Sequence, residues 1–278
     1  MNFVKTLLLM SILSALLVLL GGALGGRGGA SVALVISLAM NVGSYWFSDK
    51  IVLRVYKARV VTEAESPQLV GTVRRLAERA GLPMPRVAII PSAGPNAFAT
   101  GRGPKSAVVA ATTGLLELVD QDELEGVIAH ELGHVRNRDI LLSTVAASMV
   151  GAITMISRWG LFFGGGRDRG RGVHPIVAIV MMIAAPMAAV LIQMAVSRSR
   201  EFGADKAGAE ISGKPRALAS ALAKLEQYAH ARPTDVNPAT SHLFIVNPLG
   251  GGRMSGLFRT HPRTEERIAK LEEMALGG

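Results

Sequence analysis

Asp120-Gln-Asp-Glu-Leu-Glu-Gly-Val-Ile-Ala-His-Glu-Leu-Gly-His-Val-Arg-Asn-Arg-Asp139 is the stretch on which the reading of this chain turns. Asp120 followed three residues later by Glu123 is a capping-box pattern. Asp122 and Glu125 add negative charge where a helix dipole is positive. Val127, Ile128 and Leu132 then carry an apolar helical pattern to about Asn137. Within that helix, residues four apart share a face, so His130 and His134 project together, one turn apart. Two imidazoles so placed can reach one zinc ion at about 2.0–2.1 Å each. Glu131 projects to the side, where it can act as a general base on water, and Gly133 is expected to leave space above the site. The polar start of the helix argues against a place inside hydrocarbon.

A catalytic zinc takes a third protein ligand and keeps one position open. Ser197-Arg-Ser-Arg-Glu-Phe-Gly-Ala-Asp205 offers Glu201 for that role. Asp205, one turn on, is expected to accept a hydrogen bond from a ligand histidine. The segments between the two motifs supply the reason they meet. Ile140–Ser157 and Gly172–Ser197 lack Asp, Glu, Lys and Arg, and so do Thr6–Gly26 and Gly28–Ser48. A helix needs about 20 mainly apolar residues to cross a bilayer. The shorter third run gains reach through Trp159–Phe163, past Arg158. An antiparallel hairpin of the third and fourth runs returns His134 and Glu201 to the same membrane face.

The expected fold is therefore that of a mainly α membrane protein, with about four transmembrane helices and a cytoplasmic α+β zincin-like catalytic domain with a small β-sheet. Residues 1–48 form a transmembrane hairpin, and 49–139 the catalytic part with the metal helix. Residues 140–197 form a second hairpin, and 198–278 the part with the third ligand. Lys50, Arg54, Lys57 and Arg59 at the exit of the second run, against Arg27 alone in the first loop, put the catalytic parts in the cytoplasm. Arg167, Arg169 and Arg171 oppose this if the second hairpin crosses fully; a shallow re-entrant hairpin relieves the conflict. Buried helices of a soluble enzyme, or a cleaved signal in the first run, are the blander alternatives.

Of 278 residues, 49% are hydrophobic and 18% charged, so charge is concentrated outside the apolar runs. The absence of cysteine leaves histidine and carboxylates as the metal ligands. The net charge of +9 is read as attraction to anionic membrane lipid; no nucleic-acid motif accompanies the basic residues. Outside the membrane, Ser66 and Pro67 start a helix that Gly81 ends. Arg86–Ile90, Asn96–Thr100 and Ala107–Ala111 read as a sheet of two or three strands, the last two a hairpin. Helices are expected at 214–231 and 262–276. The Pro- and Gly-rich 232–258 between them reads as either a lid or disorder. Asn96, Ala97 and Phe98 lie on a candidate edge strand that could pair with substrate backbone. His174, His230 and His242 receive no role.

Taken together, these motifs resemble the HtpX family of membrane zinc metalloproteases, relatives of the endopeptidases that process CAAX prenyl proteins. The resemblance rests on the four apolar runs in order, Asn96-Ala-Phe-Ala-Thr-Gly101, His130–Asp139, Ser197–Asp205, and His261-Pro with Arg267-Ile268 following. It implies one zinc ion per chain at the inner membrane and cleavage of damaged or misfolded membrane proteins in a stress response. It also implies that His261 serves the oxyanion or approaches the metal. Three rivals differ in one feature each. An intramembrane site-2-type protease would carry the metal motif inside a span, and Asn247-Pro-Leu-Gly is a poor match for its aspartate motif. A divalent-metal transporter would carry histidines and carboxylates within the spans. A metal-free scaffold would have no use for Glu131.

Overall fold

The computed structural model describes residues 2–140, 175–232, 244–246 and 262–277. The third apolar run beyond Ile140, the arginine loop 167–171, His174, His242, Asn247, His261 and most of 232–258 lie outside the described residues. The chain divides into two compact units, Met1–Trp46 with Leu142–Met194, and Phe47–Leu141 with Ala195–Gly278.

In the first unit, α1 (Asn2–Val55) loses helical geometry at Gly25 and at Gly26, which has φ 59° and ψ −146°. That conformation suits glycine alone. The chain doubles back there: Asn41 Nδ2 donates to Ser14 Oγ at 3.0 Å. A Cβ on Gly21 would lie 2.5 Å from the Ala33 Cβ, so small residues let the two arms touch. Leu9, Leu13, Leu17 and Leu20 are buried, whereas Leu8, Leu19, Val32 and Val35 are exposed. Among the described residues, Leu7–Phe47 is the stretch long and apolar enough to cross a membrane, with a mean hydropathy of 2.6.

The second unit begins with the end of α1 and then β1 (Arg59–Val60), α2 (Pro67–Arg79), β2 (Arg86–Ile90), β3 (Ala97–Thr100) and β4 (Val108–Thr112). The sheet order is β1-β2-β4-β3. Among the described residues it thus has four strands, where the sequence showed two or three; β1 is two residues long, too short to display a period. β2 pairs with β4 in parallel, Arg86 opposite Val108, and β3 pairs with β4 antiparallel, Ala97 opposite Ala111. Alternation sends side chains to two faces. Val87, Ala97, Ala99, Val109 and Ala111 join the helical core with Leu69, Val73 and Leu76. Ala88, Ile90, Phe98, Val108 and Ala110 pack under Leu53 and Tyr56.

Among the described residues, five further helices follow: α3 (Thr113–Leu118), α4 (Gln121–Asn137), α5 (Pro175–Ser212), α6 (Pro215–Ala231) and α7 (Thr264–Leu276). α4 is the axis of the core. Asp120 accepts from the Glu123 N–H, and Glu123 from the Asp120 N–H, both at 2.9 Å. Glu123 also accepts from Ser220 Oγ at 2.7 Å and Lys224 Nζ at 2.6 Å, which ties α6 to the start of α4. Leu124, Val127, Ile128, Leu132 and Val135 are all buried, each burial contributing about 1.5–3 kcal/mol. Two glycines seat this helix against its neighbours. A Cβ on Gly126 would stand 2.8 Å from the Leu218 nitrogen, and one on Gly133 3.0 Å from both Ala204 O and Ala207 Cβ. Gly133 therefore admits the backbone of α5, and does not open space above the histidines as the sequence suggested.

Candidate metal centre

α4 presents His130 and His134 one turn apart, with ring centroids 4.8 Å from each other and planes at 86°. α5 lies against that face because Gly208 also lacks a side chain, where a Cβ would sit 2.9 Å from both the Cα and the N of His130. The close crossing brings Glu201 and Asp205 to the histidines. His130 Nε2 stands 3.6 Å from one Glu201 oxygen and His134 Nε2 3.5 Å from the other. One atom from each of His130, His134 and Glu201 lies within 4.8 Å of the others.

The opposite ring nitrogens face carboxylates. Asp205 Oδ1 is 2.9 Å from His130 Nδ1, a close approach without the alignment of a hydrogen bond. Asp139 Oδ2 is 3.5 Å from His134 Nδ1. Carboxylates at both Nδ1 atoms favour protons there, so Nε2, which faces Glu201, is the nitrogen of each ring that would bind a metal on giving up its own proton. Asp205 is held in turn by Arg267 on α7, which is 1% exposed. Its Nε and one terminal nitrogen donate to the two Asp205 oxygens at 2.8 and 2.7 Å. The other terminal nitrogen donates to Ile245 O at 2.8 Å and stands 3.5 Å from Glu201.

Electrostatics follow from this crowding. Burial opposes the charged form of Asp205, but Arg267 overrides it and holds the carboxyl at about 2. Burial likewise opposes charge on His134, yet the Asp139 and Glu201 carboxylates push it up to about 10. Burial raises Glu131 above the usual carboxylate range, against the pull of both imidazoles and the Ala99 N–H. The pocket thus attracts a cation. Two imidazoles and a carboxylate with Nδ1 atoms backed by acids form the donor set that suits a catalytic zinc, so the residues fit a divalent metal.

The remaining sequence candidates fall as follows. Asp205 touches His130 and Arg267, as described. Asn96 is buried at the entry to β3: its backbone O accepts from the Thr112 N–H at 2.9 Å, and its side-chain oxygen accepts from the Ile245 N–H at 3.2 Å. Ala97 and Phe98 lie in β3, their side chains on opposite faces of the sheet. His230 is exposed and 3.9 Å from Glu226. Sequence reasoning gave no role to Asp139 or Arg267. The signal for Arg267 was present: with Thr264 and Leu271 it occupies the buried stripe of an amphipathic helix, where a lone cation requires an anionic partner. Asp139 gave none, because its proximity to His134 depends on the left-handed turn at Arg138, φ 59°.

Comparison with known proteins places these features. A family model described as peptidase family M48 matches residues 63–275. Proteins described as "Protease HtpX homolog" from Ralstonia pickettii (strain 12J) and Burkholderia pseudomallei (strain 668) are each 54% identical over 280 residues, covering 100% of this chain and 98% of theirs. The crystal structure of S. mikatae Ste24p is similar with a TM-score of 0.55 at 20% identity, covering 86% of this chain and 57% of that one. At that identity the likeness concerns the fold.

Proposed function

This chain belongs to peptidase family M48 and is a metalloprotease; from that premise we propose that it is a zinc-dependent endopeptidase with His130, His134 and Glu201 as ligands and Glu131 as general base. The observation that carries the reading is the convergence of both Nε2 atoms on the two Glu201 oxygens, at 3.6 and 3.5 Å, with both Nδ1 atoms backed by carboxylates. Zinc, when bound, polarises the scissile carbonyl and makes water acidic enough to attack near neutral pH. Glu131 takes the proton of the attacking water and passes it to the leaving amide nitrogen. Its buried carboxyl, raised above the ordinary range, is suited to both halves of that transfer. Asp205 and Asp139 fix the imidazole orientations, and Arg267 fixes Asp205.

Polypeptide substrates pair with the outer edge of β3. Thr112 donates to Asn96 O across the β3–β4 register, so Asn96, Phe98 and Thr100 direct backbone groups at β4 while Ala97 and Ala99 direct theirs outward. Among the described residues no strand covers that side. Backbone pairing tolerates many sequences, which suits a protease for misfolded or damaged membrane proteins. We place the enzyme in the inner membrane as a multi-pass protein in contact with lipid, its site facing the cytoplasm, with the four-part arrangement 1–48, 49–139, 140–197 and 198–278. The apolar hairpin of α1 and the cations Lys50, Arg54, Lys57 and Arg59 that follow it support this.

The test is cleavage of a membrane-protein substrate by detergent-purified protein with zinc, alongside metal analysis. Glu131→Gln should keep one zinc and lose activity by about 10²–10⁴-fold. His134→Ala should lose both. Equal cleavage by the parent and Glu131→Gln would refute the mechanism.

A further inference from the structure

The direction of β3 relative to the end of the apolar run limits which substrates can lie along it. Phe47 closes the run Leu7–Phe47. Tyr45 and Trp46 precede it, aromatic residues of the kind enriched at membrane surfaces, and Lys50 Nζ stands 5.9 Å from the Phe47 ring centroid. Two residues past Phe47, Asp49 accepts from the Arg86 guanidinium at the start of β2. The chain then passes along the sheet: Leu53 and Tyr56 cover its Phe98 face, with the Tyr56 and Phe98 ring centroids 5.3 Å apart. Register carries this placement across the strands. Arg86 pairs with Val108, and Val108 with Thr100, so the Thr100 end of β3 is the end on the Phe47 side. At the far end Ile90 pairs with Thr112, whose N–H donates to Asn96 O. β3 therefore runs toward the close of the apolar run.

A strand added to the outer edge of β3 pairs more stably antiparallel than parallel, and so runs away from Phe47 in its own N-to-C direction. The Ala99 N–H faces Glu131, which puts the scissile bond near Ala99, one residue from the Thr100 end. A chain that leaves the bilayer toward its C-terminus reaches this edge directly. A chain that heads into the bilayer leaves the edge at the Asn96 end. It must then turn through about two to five residues and retrace the four of β3 before it can enter. We propose that the enzyme selects segments that leave the membrane toward their C-terminus, the tails and loops just after a spanning helix, over segments that lead into one. The proposal rests on the endopeptidase reading above and names its substrate class.

The test uses the full chain with zinc in proteoliposomes and two single-span substrates that carry the same cleavable segment, one after the span and one before it. Rates are normalised to the fraction of each segment that an added soluble protease can reach. With a spacer of about five residues, the segment after the span should be cut at least about tenfold faster; with about thirty residues, which allow the chain to turn back, the ratio should fall below about threefold. The chain has no cysteine, so direction is also read without turnover, by disulfide cross-linking on Glu131→Gln. Lys105→Cys, exposed at the Thr100 end of β3, should link to a cysteine N-terminal to the scissile bond. Ala93→Cys, exposed at the Asn96 end, should link to one C-terminal to it. At the short spacer both links should form with the segment after the span and neither with the segment before it. Equal rates at the short spacer, faster cleavage before the span, or reversed cross-links overturn the proposal. No cleavage of any substrate, the free segment as a soluble peptide included, with cross-links as expected overturns the endopeptidase reading and leaves the direction of docking standing. Absence of the cross-links as well overturns both.

Discussion

Replacing Arg267 by methionine tests the buried frame of the site most directly. Three hydrogen bonds are lost, two to Asp205 and one to Ile245 O. The Asp205 side chain is only 5% exposed, so its carboxylate is left with His130 as its cationic partner. Stranding one member of a buried ion pair costs about 3–5 kcal/mol. Asp205→Asn strands the guanidinium instead, but Glu201 at 3.5 Å still faces it, which places that loss at the lower end. Removing both members relieves both strandings, and such replacements are often nearly neutral. The double variant Asp205→Asn/Arg267→Met should therefore recover at least about 1.5 kcal/mol relative to the sum of the single losses. Hydrogen exchange of the α7 amides at fixed zinc is the assay, because local opening is defined where whole-chain unfolding is not two-state. Additivity within about 0.5 kcal/mol, or α7 exchange unchanged by Arg267→Met, would refute the reasoning. In a parallel chelator competition, Asp205→Asn should weaken zinc binding about 10–100-fold through loss of His130 orientation.

Three further outcomes follow from the same geometry. Gly208→Ala places a methyl group 2.9 Å from the His130 backbone, so it should cost about 1–3 kcal/mol and lower zinc affinity by spreading α4 from α5; unchanged affinity would show that the crossing is not what sets the ligand spacing. Asp120→Ala removes the N-cap bond to Glu123 and should destabilise α4 by about 1 kcal/mol, read as faster exchange in its first turn. Burial raises Glu123, but Lys224, Ser220 and the Asp120 N–H outweigh it and hold its carboxyl below the ordinary range. Its contribution is thus complete above the unfolded value of about 4.3 and is lost as pH falls through the lower folded value. Lys224→Met should move the acid transition in circular dichroism to higher pH; an unmoved transition would remove Glu123 from the account.

α4 could be read without coordinates because its determinants are local. The capping box, the apolar positions and the one-turn spacing of the histidines all lie between Asp120 and Asn137, and helical periodicity alone places them. The apolar hairpin of α1 was legible for the same reason, except that its break falls at Gly25–Gly26, just before Arg27. Glu201 was named because its helix continues an apolar run and the motif repeats an acid one turn later.

Tertiary structure decided what surrounds those side chains. Arg267 reaches Asp205 across 62 residues, and no short-range pattern encodes that pairing. Gly133 read as open space in the sequence and Gly208 received no role, yet their lack of a Cβ is what lets α4 and α5 close to contact. The edge position of β3 depends on β4 inserting between it and β2. Local sequence fixes which side chains share a helix face. Only the packing of distant segments fixes what each buried charge meets, because burial makes an unpaired charge too costly and so selects its partner in space.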